Sequence, residues 1–318
     1  MNLFHLLQLF SRFFAIVALF HLKGILGTTF TFVNKCEYRV WPGILASAGS
    51  PSLDSTGFVL AQGSSRSFKP PAGWSGRFWA RTGCNFDESG HGSCSTGDCG
   101  TGQIECNGAG AAPPATLAEF TLSGASGQDF YDVSLVDGYN LPMIVEASGG
   151  SGACLSTGCA ADLNQRCPAE LRAEDGGACK SACEAFGSPE YCCSGAYNSP
   201  SSCKPSVYSQ MFKSACPRSY SYAYDDATST FTCSAADYTI TFCPSSPSQK
   251  STMDSSVGTA GGSGGSGSGS TAGAMLADGS WLANLATGDS TGRHPSLAVQ
   301  FAFLIVGLSS VILYFIRW

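Results

Sequence analysis

Along the first half of the chain, apolar and polar positions alternate in short runs: Thr29–Val33, Tyr38–Trp41, Gly57–Leu60, Arg77–Trp79, Leu117–Leu122 and Phe130–Val136. These runs are rich in β-branched and aromatic residues and are broken by Gly, Pro and the turn dipeptide Asp137-Gly138. Period-two patterning of this kind predicts the strands of an antiparallel β-sandwich. From about Cys154 to Cys233 the alternation gives way to small, charged and cysteine residues, with short helices predicted over Pro168–Arg172 and Lys180–Phe186. That stretch reads as a disulfide-rich lobe of loops and helices, after which Tyr238–Phe242 returns the chain to strand. The fold class is therefore mainly β.

Two continuous apolar stretches flank this region. Residues 1–27 are hydrophobic apart from a few polar and basic positions such as Arg12 and Lys23, and predict a cleaved secretory signal. Residues 297–316 form a second apolar run, long enough to cross a bilayer core of roughly 30 Å. Only Arg317 and Trp318 follow it, whereas small residues and a short polar spacer over 288–296 precede it. That order favours a glycolipid-anchor signal over a membrane span, which stays the alternative. Between them, residues 245–296 include Gly261–Ser270, a Gly/Ser tract too polar to order itself, and predict a flexible tether. The organisation expected is a signal, a folded head over 28–244, a linker and a tail anchored at the outer face of the plasma membrane.

Composition narrows the chemistry. All sixteen cysteines lie between Cys36 and Cys243, an even count confined to the head, which points to export and structural disulfides. The adjacent Cys192 and Cys193 suit pairing better than a metal knuckle, so no metal and no cofactor are expected. Of the four histidines only His91 lies in the head, which argues against a histidine-dependent hydrolase. The net charge of −6 argues against nucleic acid as a partner. No Asn-x-Ser/Thr triplet is present, so no N-linked glycan is expected.

One cysteine run is more specific. Gly90-His-Gly-Ser-Cys94-Ser-Thr-Gly-Asp98-Cys99, ending at Cys106, resembles the signature of the thaumatin-like proteins, the plant defence family with osmotin-type antifungal members. The resemblance spans 28–244 and implies a flattened sandwich of about eleven strands, a large disulfide-rich lobe, a small one, and a cleft between sandwich and large lobe. It also implies a pairing: Cys36 with Cys243, Cys84 with Cys94, Cys99 with Cys106, and Cys154 with Cys233. The remaining pairs it implies are Cys159 with Cys216, Cys167 with Cys179, Cys183 with Cys192, and Cys193 with Cys203.

The same resemblance implies an acidic cleft lined by Arg81, Glu119, Asp132, Asp137 and one of Asp225 and Asp226. Each has a plainer reading: Asp137 as a turn former, Asp132 on a solvated strand face, Glu119 and Arg81 as a buried ion pair. The function implied is a monomeric extracellular defence protein that binds fungal or wall β-1,3-glucan, or fungal surface proteins. A weak endo-β-1,3-glucanase, with Glu119 as proton donor and Asp132 as base or nucleophile, is the enzymatic alternative. A tethered receptor-like recognition head is the third.

Overall fold

The computed structural model describes residues 27–124, 127–174 and 176–244. The leader, the linker and the terminal apolar stretch expected from the sequence lie outside these residues. Among the described residues, no helix is long and apolar enough to cross a membrane.

Two five-stranded sheets form the body. The first has the order β10-β9-β12-β1-β3, built from β1 (Phe30–Asn34), β3 (Ser65–Phe68), β9 (Met143–Ser148), β10 (Thr157–Cys159) and β12 (Asp237–Phe242). The second has the order β11-β8-β7-β4-β2, from β2 (Trp41–Ala46), β4 (Ser75–Arg81), β7 (Leu117–Thr121), β8 (Asp129–Ser134) and β11 (Phe231–Cys233). The pairings in the two sheets are antiparallel apart from β1 with β12, which run parallel. The resemblance implied about eleven strands; ten make the sandwich, and β5 (Asn85–Phe86) with β6 (Gly92–Ser93) form a separate two-stranded ribbon.

The core explains the alternation. Phe30 of the first sheet packs edge-on to Phe78 and Phe120 of the second, with ring centroids 4.8 Å and 4.7 Å apart. Because neighbouring strand residues point to opposite faces, turning Phe78, Ala80, Ala118, Phe120, Tyr131 and Val133 inward sends Arg77, Trp79, Arg81, Glu119 and Asp132 outward. The outer face of the second sheet is thus where the polar chemistry collects.

Two disulfide-bonded regions flank that face. On one side, Trp79 and Leu117 pack with Cys99 and Cys106 in a small cluster. On the other, Leu135 and Tyr139 join Leu163, Leu171 and Phe212 in a second core within the large lobe. That lobe carries the short helices α1 (Ala182–Phe186) and α2 (Pro189–Cys192), the longer α3 (Val207–Ala215), and α4 (Asp226–Ser229). The eight disulfides join the pairs that the resemblance implies, and no described cysteine is free.

Several local expectations shift. Tyr38 and Arg39 lie before the strand, which starts at Trp41, and Gly57–Leu60 makes only isolated bridges at Gly57 and Leu60. Gly57 is pressed against its neighbours there: a Cβ would stand 2.1 Å from the Ile104 carbonyl oxygen and 2.8 Å from Arg81 Nη2. The helix expected over Pro168–Arg172 is a single 3₁₀ turn, Ala169–Leu171.

Candidate functional site

Strand pairing builds the site. Arg77 of β4 stands opposite Glu119 of β7, and Glu119 stands opposite Asp132 of β8. Residues directly opposite in antiparallel strands share a face, with Cβ atoms roughly 5 Å apart. One row across the outer face therefore reads arginine, glutamate, aspartate. Arg77 Nε lies 3.6 Å from Glu119 Oε1.

The row is graded in depth. The Arg77 side chain is partly exposed, Glu119 is 7% exposed, and Asp132 is 0% exposed. Neither carboxylate oxygen of Asp132 has a hydrogen-bond partner. A buried, unpartnered charge is costly, and a group in that position holds its proton instead. Burial accordingly pushes Asp132 well above the usual carboxylate range, Glu119 and Asp226 push it further, and Arg77 pulls it back. Glu119 is raised for the same reason, with Arg77 opposing and Asp137 reinforcing. Two neighbouring carboxyls of this kind share protons as a unit, and the deeper one keeps its proton longer.

Asp137 completes the near side. It lies in the turn that follows β8, where Gly138 has φ 85° and a Cβ on Gly138 would stand 2.8 Å from the Cys179 carbonyl oxygen. Asp137 therefore does shape a turn, and burial also raises its carboxyl while Arg77 opposes the rise.

The two candidate aspartates at the far side separate cleanly. Asp225 is committed to the lobe: Lys213 Nζ sits 2.9 Å from its Oδ2, which also accepts from the Ser221 backbone N–H and hydroxyl. Asp226 instead accepts from the Tyr220 hydroxyl at 3.0 Å and acts electrostatically on Asp132. Of the two, Asp226 belongs with the row.

Arg81 does not join these residues. It is fully buried at the end of β4, where Nε donates to the Trp41 carbonyl, Nη1 to Gln103 and Nη2 to Ile104. Burial lowers it to about 10, while Asp98 and Glu105 hold it up. Glu105 in turn accepts from the Ser55 and Thr56 hydroxyls and from the Thr56 and Gly57 backbone N–H groups. Arg81 thus pins the small lobe to the sheet, and the plainer reading of Glu119 with Arg81 as an ion pair is replaced by Glu119 with Arg77. The solvated-face reading of Asp132 is replaced by full burial.

Two residues near the row went unnoticed in the sequence. Arg77 is four positions from Arg81 on the same face, so parity cannot separate them, and only the register with Glu119 does. Glu184, in the first turn of α1, feels the charge of Asp137.

Other chemistry is not assembled. Among the described residues, no group of three or more His, Cys, Asp or Glu side chains could hold a metal ion. His91 Nδ1 lies 2.9 Å from the Ser89 hydroxyl, which donates to Asp87. A serine–histidine–aspartate relay needs the imidazole between the other two; here the serine occupies the middle.

Comparison with known proteins bears on this geometry. Residues 34–244 match the model of the Thaumatin family. The chain is 70% identical over 234 residues to thaumatin-like protein 1 of Arabidopsis thaliana, covering 71% of this chain and 90% of that one. It is 61% identical to pathogenesis-related thaumatin-like protein 3.5 of Cryptomeria japonica, over 69% of this chain and 91% of the relative. It is 58% identical to pathogenesis-related protein 5 of Arabidopsis thaliana, over 70% of this chain and 92% of the relative.

Proposed function

The chain belongs to the thaumatin family, and from that premise we propose that it is an exported defence protein whose acidic cleft binds a β-1,3-glucan of a fungal or plant wall. The observation that carries this reading is the row Arg77–Glu119–Asp132, with a fully buried carboxyl beneath a nearly buried one. A neutral polysaccharide presents hydroxyl groups, and the outer part of the row offers the Arg77 guanidinium to donate and the Glu119 carboxyl oxygens to accept, with Asp132 behind them setting the charge. Asp137 and Asp226 add acidic charge that acts on Glu119 and on Asp132 respectively.

Hydrolysis is the second reading, favoured by the raised carboxyl of Glu119, which a proton donor to a glycosidic oxygen requires. Binding stands first because Asp132 is inaccessible, and a base or nucleophile must touch water or sugar. Incubation with a linear β-1,3-glucan, with retention and new reducing ends both measured, tests the two together. Retention without new ends supports binding. New ends that vanish in Glu119→Gln while retention persists support hydrolysis. A head that neither binds nor cuts this glucan overturns both.

The leader, the Gly/Ser tract and the terminal apolar run support a head displayed on a tether at the outer face of the plasma membrane. Eight disulfides are consistent with export.

A further inference from the structure

A second concavity lies at the end of the second sheet, away from the acidic row. Trp41 opens β2 opposite Arg81, the last residue of β4, which is four residues and roughly 13 Å along the strand from Arg77. On the stretch between, Trp79 is covered by Cys99 and Cys106 of the small lobe. The concavity is a shallow, open groove of about 390 Å³ lined by Tyr38, Arg39, Trp41, Thr82, Gly83 and Cys84. None of the six carries a negative charge.

The loop after β1 determines what the groove offers. Asn34 is fully buried and donates from Nδ2 to the Tyr38 carbonyl at 2.9 Å, which fixes the loop and leaves Tyr38 48% exposed. The Arg39 guanidinium lies 5.8 Å from the Trp41 ring centroid, and Phe86 packs near the same indole at 6.1 Å. Among the described residues, Arg39 makes no ion pair and no side-chain hydrogen bond, and the indole N–H of the nine-tenths buried Trp41 has no acceptor. The Trp74 indole N–H is also unpartnered but sealed in the core, whereas that of Trp41 is not sealed from solvent. The backbone edge beside the groove is already taken, because Val40 and Leu60 exchange hydrogen bonds of 3.1 Å and 2.9 Å. A peptide strand therefore finds no free ladder to join, and a ligand must be held by side chains.

We propose that this groove binds an acidic polysaccharide, with Arg39 and the Trp41 indole N–H donating to a sugar carboxylate while the ring lies against Tyr38. A guanidinium takes a carboxylate through two parallel, charge-assisted bonds, and stacking on the indole holds it ready to do so. A pyranose has an apolar face of C–H bonds that suits an aromatic side chain, and an open groove suits a chain lying along the surface. The overall charge of −6 opposes a long polyanion, so recognition is confined to the few sugars the groove spans. This inference stands apart from the glucan reading, since no lining residue belongs to the acidic row.

The test is calorimetric titration of the full-length chain with a short oligogalacturonate at about pH 6 and low salt, where the sugar carboxylates are ionised. Arg39→Gln, at an exposed and unpaired position, should leave the melting temperature unchanged and weaken binding about tenfold. Tyr38→Ala should weaken it about fivefold. The methyl-esterified oligomer keeps the rings and loses the charge; it should bind about tenfold more weakly and be indifferent to Arg39→Gln. Absence of binding by the wild-type chain, or wild-type affinity in Arg39→Gln, overturns the inference. Displacement by a linear β-1,3-glucan would place both sugars in one site and overturns it too. A polyglutamate of similar length that binds as tightly as the oligogalacturonate overturns the assignment to a carbohydrate.

Discussion

Asp132 lies directly across the β7–β8 ladder from Glu119, fully buried, with both carboxyl oxygens lacking a hydrogen-bond partner. Backbone pairing places the two carboxyls side by side, and burial makes their ionisation costly to the fold, an effect that Arg77 beside Glu119 offsets in part.

The pH dependence of stability follows from that. Asp132, Glu119, Asp137 and Glu184 are all raised by burial, so the folded chain binds more protons than the unfolded one. Their contribution is fully present below the unfolded carboxyl value of about 4 and is lost as pH rises through the folded values. Glu105 acts in the opposite sense: burial raises it, but its bonds from Thr56, Ser55 and Gly57 outweigh that and hold it low, so its contribution is lost in strong acid. The melting temperature should therefore be highest in mildly acidic solution and fall as pH rises towards about 8, past the Glu184 value of about 7. Asp132→Asn should flatten the alkaline side of a scanning-calorimetry profile. An unchanged slope would show that Asp132 is ionised in the folded state.

The two arginines of β4 should part company on mutation. Removing Arg81 strips the Trp41, Gln103 and Ile104 carbonyls of a donor and leaves Glu105 and Asp98 without their cation, so Arg81→Ala should cost about 3–5 kcal/mol. Arg81→Lys should recover little, because one ammonium cannot span those acceptors. Arg77 is partly exposed and its ion pair is long, so Arg77→Ala should cost under about 1 kcal/mol. It should instead raise the titration of Glu119, read by carbon NMR of the carboxyl. Equal destabilisation by both variants would contradict this division.

How far the sequence reveals this architecture differs from element to element. The strands β1, β4, β7, β8 and β12 are readable because each alternates Phe, Tyr, Val or Ile with outward polar residues. Ser65–Phe68 escapes because an edge strand with an exposed pattern shows no apolar face. The helix Val207–Ala215 is harder to place: Tyr208, Met211, Phe212 and Ala215 recur at helical spacing and Ser206 caps it, but its nine residues sit among cysteine-rich loops with no long apolar stripe. For the site, Glu119 and Asp132 fall on strands legible in the sequence and Asp137 in the turn after β8, but which arginine faces Glu119 depends on register. Which aspartate of Asp225-Asp226 faces Asp132 depends on where Lys213 sits on α3. Neither is a property of local sequence.

The tether and tail carry their own test. Cells expressing the chain, treated with a phosphatidylinositol-specific phospholipase, should release the head into the medium. Retention while control anchored proteins are released would favour a membrane span over residues 297–316.

Closure of the head rests on one bond. Cys36 and Cys243 are joined across a sequence separation of 207, immediately beyond β1 and β12, which pair in parallel through Phe30↔Tyr238 to Asn34↔Phe242. A parallel pairing at the centre of a sheet brings together the two ends of the domain, the contact with the largest loop to close. With the disulfide present, much of that entropy is removed from the unfolded chain. Replacing both cysteines by serine should cost about 2–5 kcal/mol and make β1 and β12 the first strands to exchange their amides. Removing Cys193–Cys203 instead, with a separation of 10 in the lobe, should leave those two strands protected. Hydrogen exchange followed by mass spectrometry distinguishes the two variants. Equal loss of protection at β1 in both would mean that the lobe, rather than the terminal bond, holds the sandwich closed.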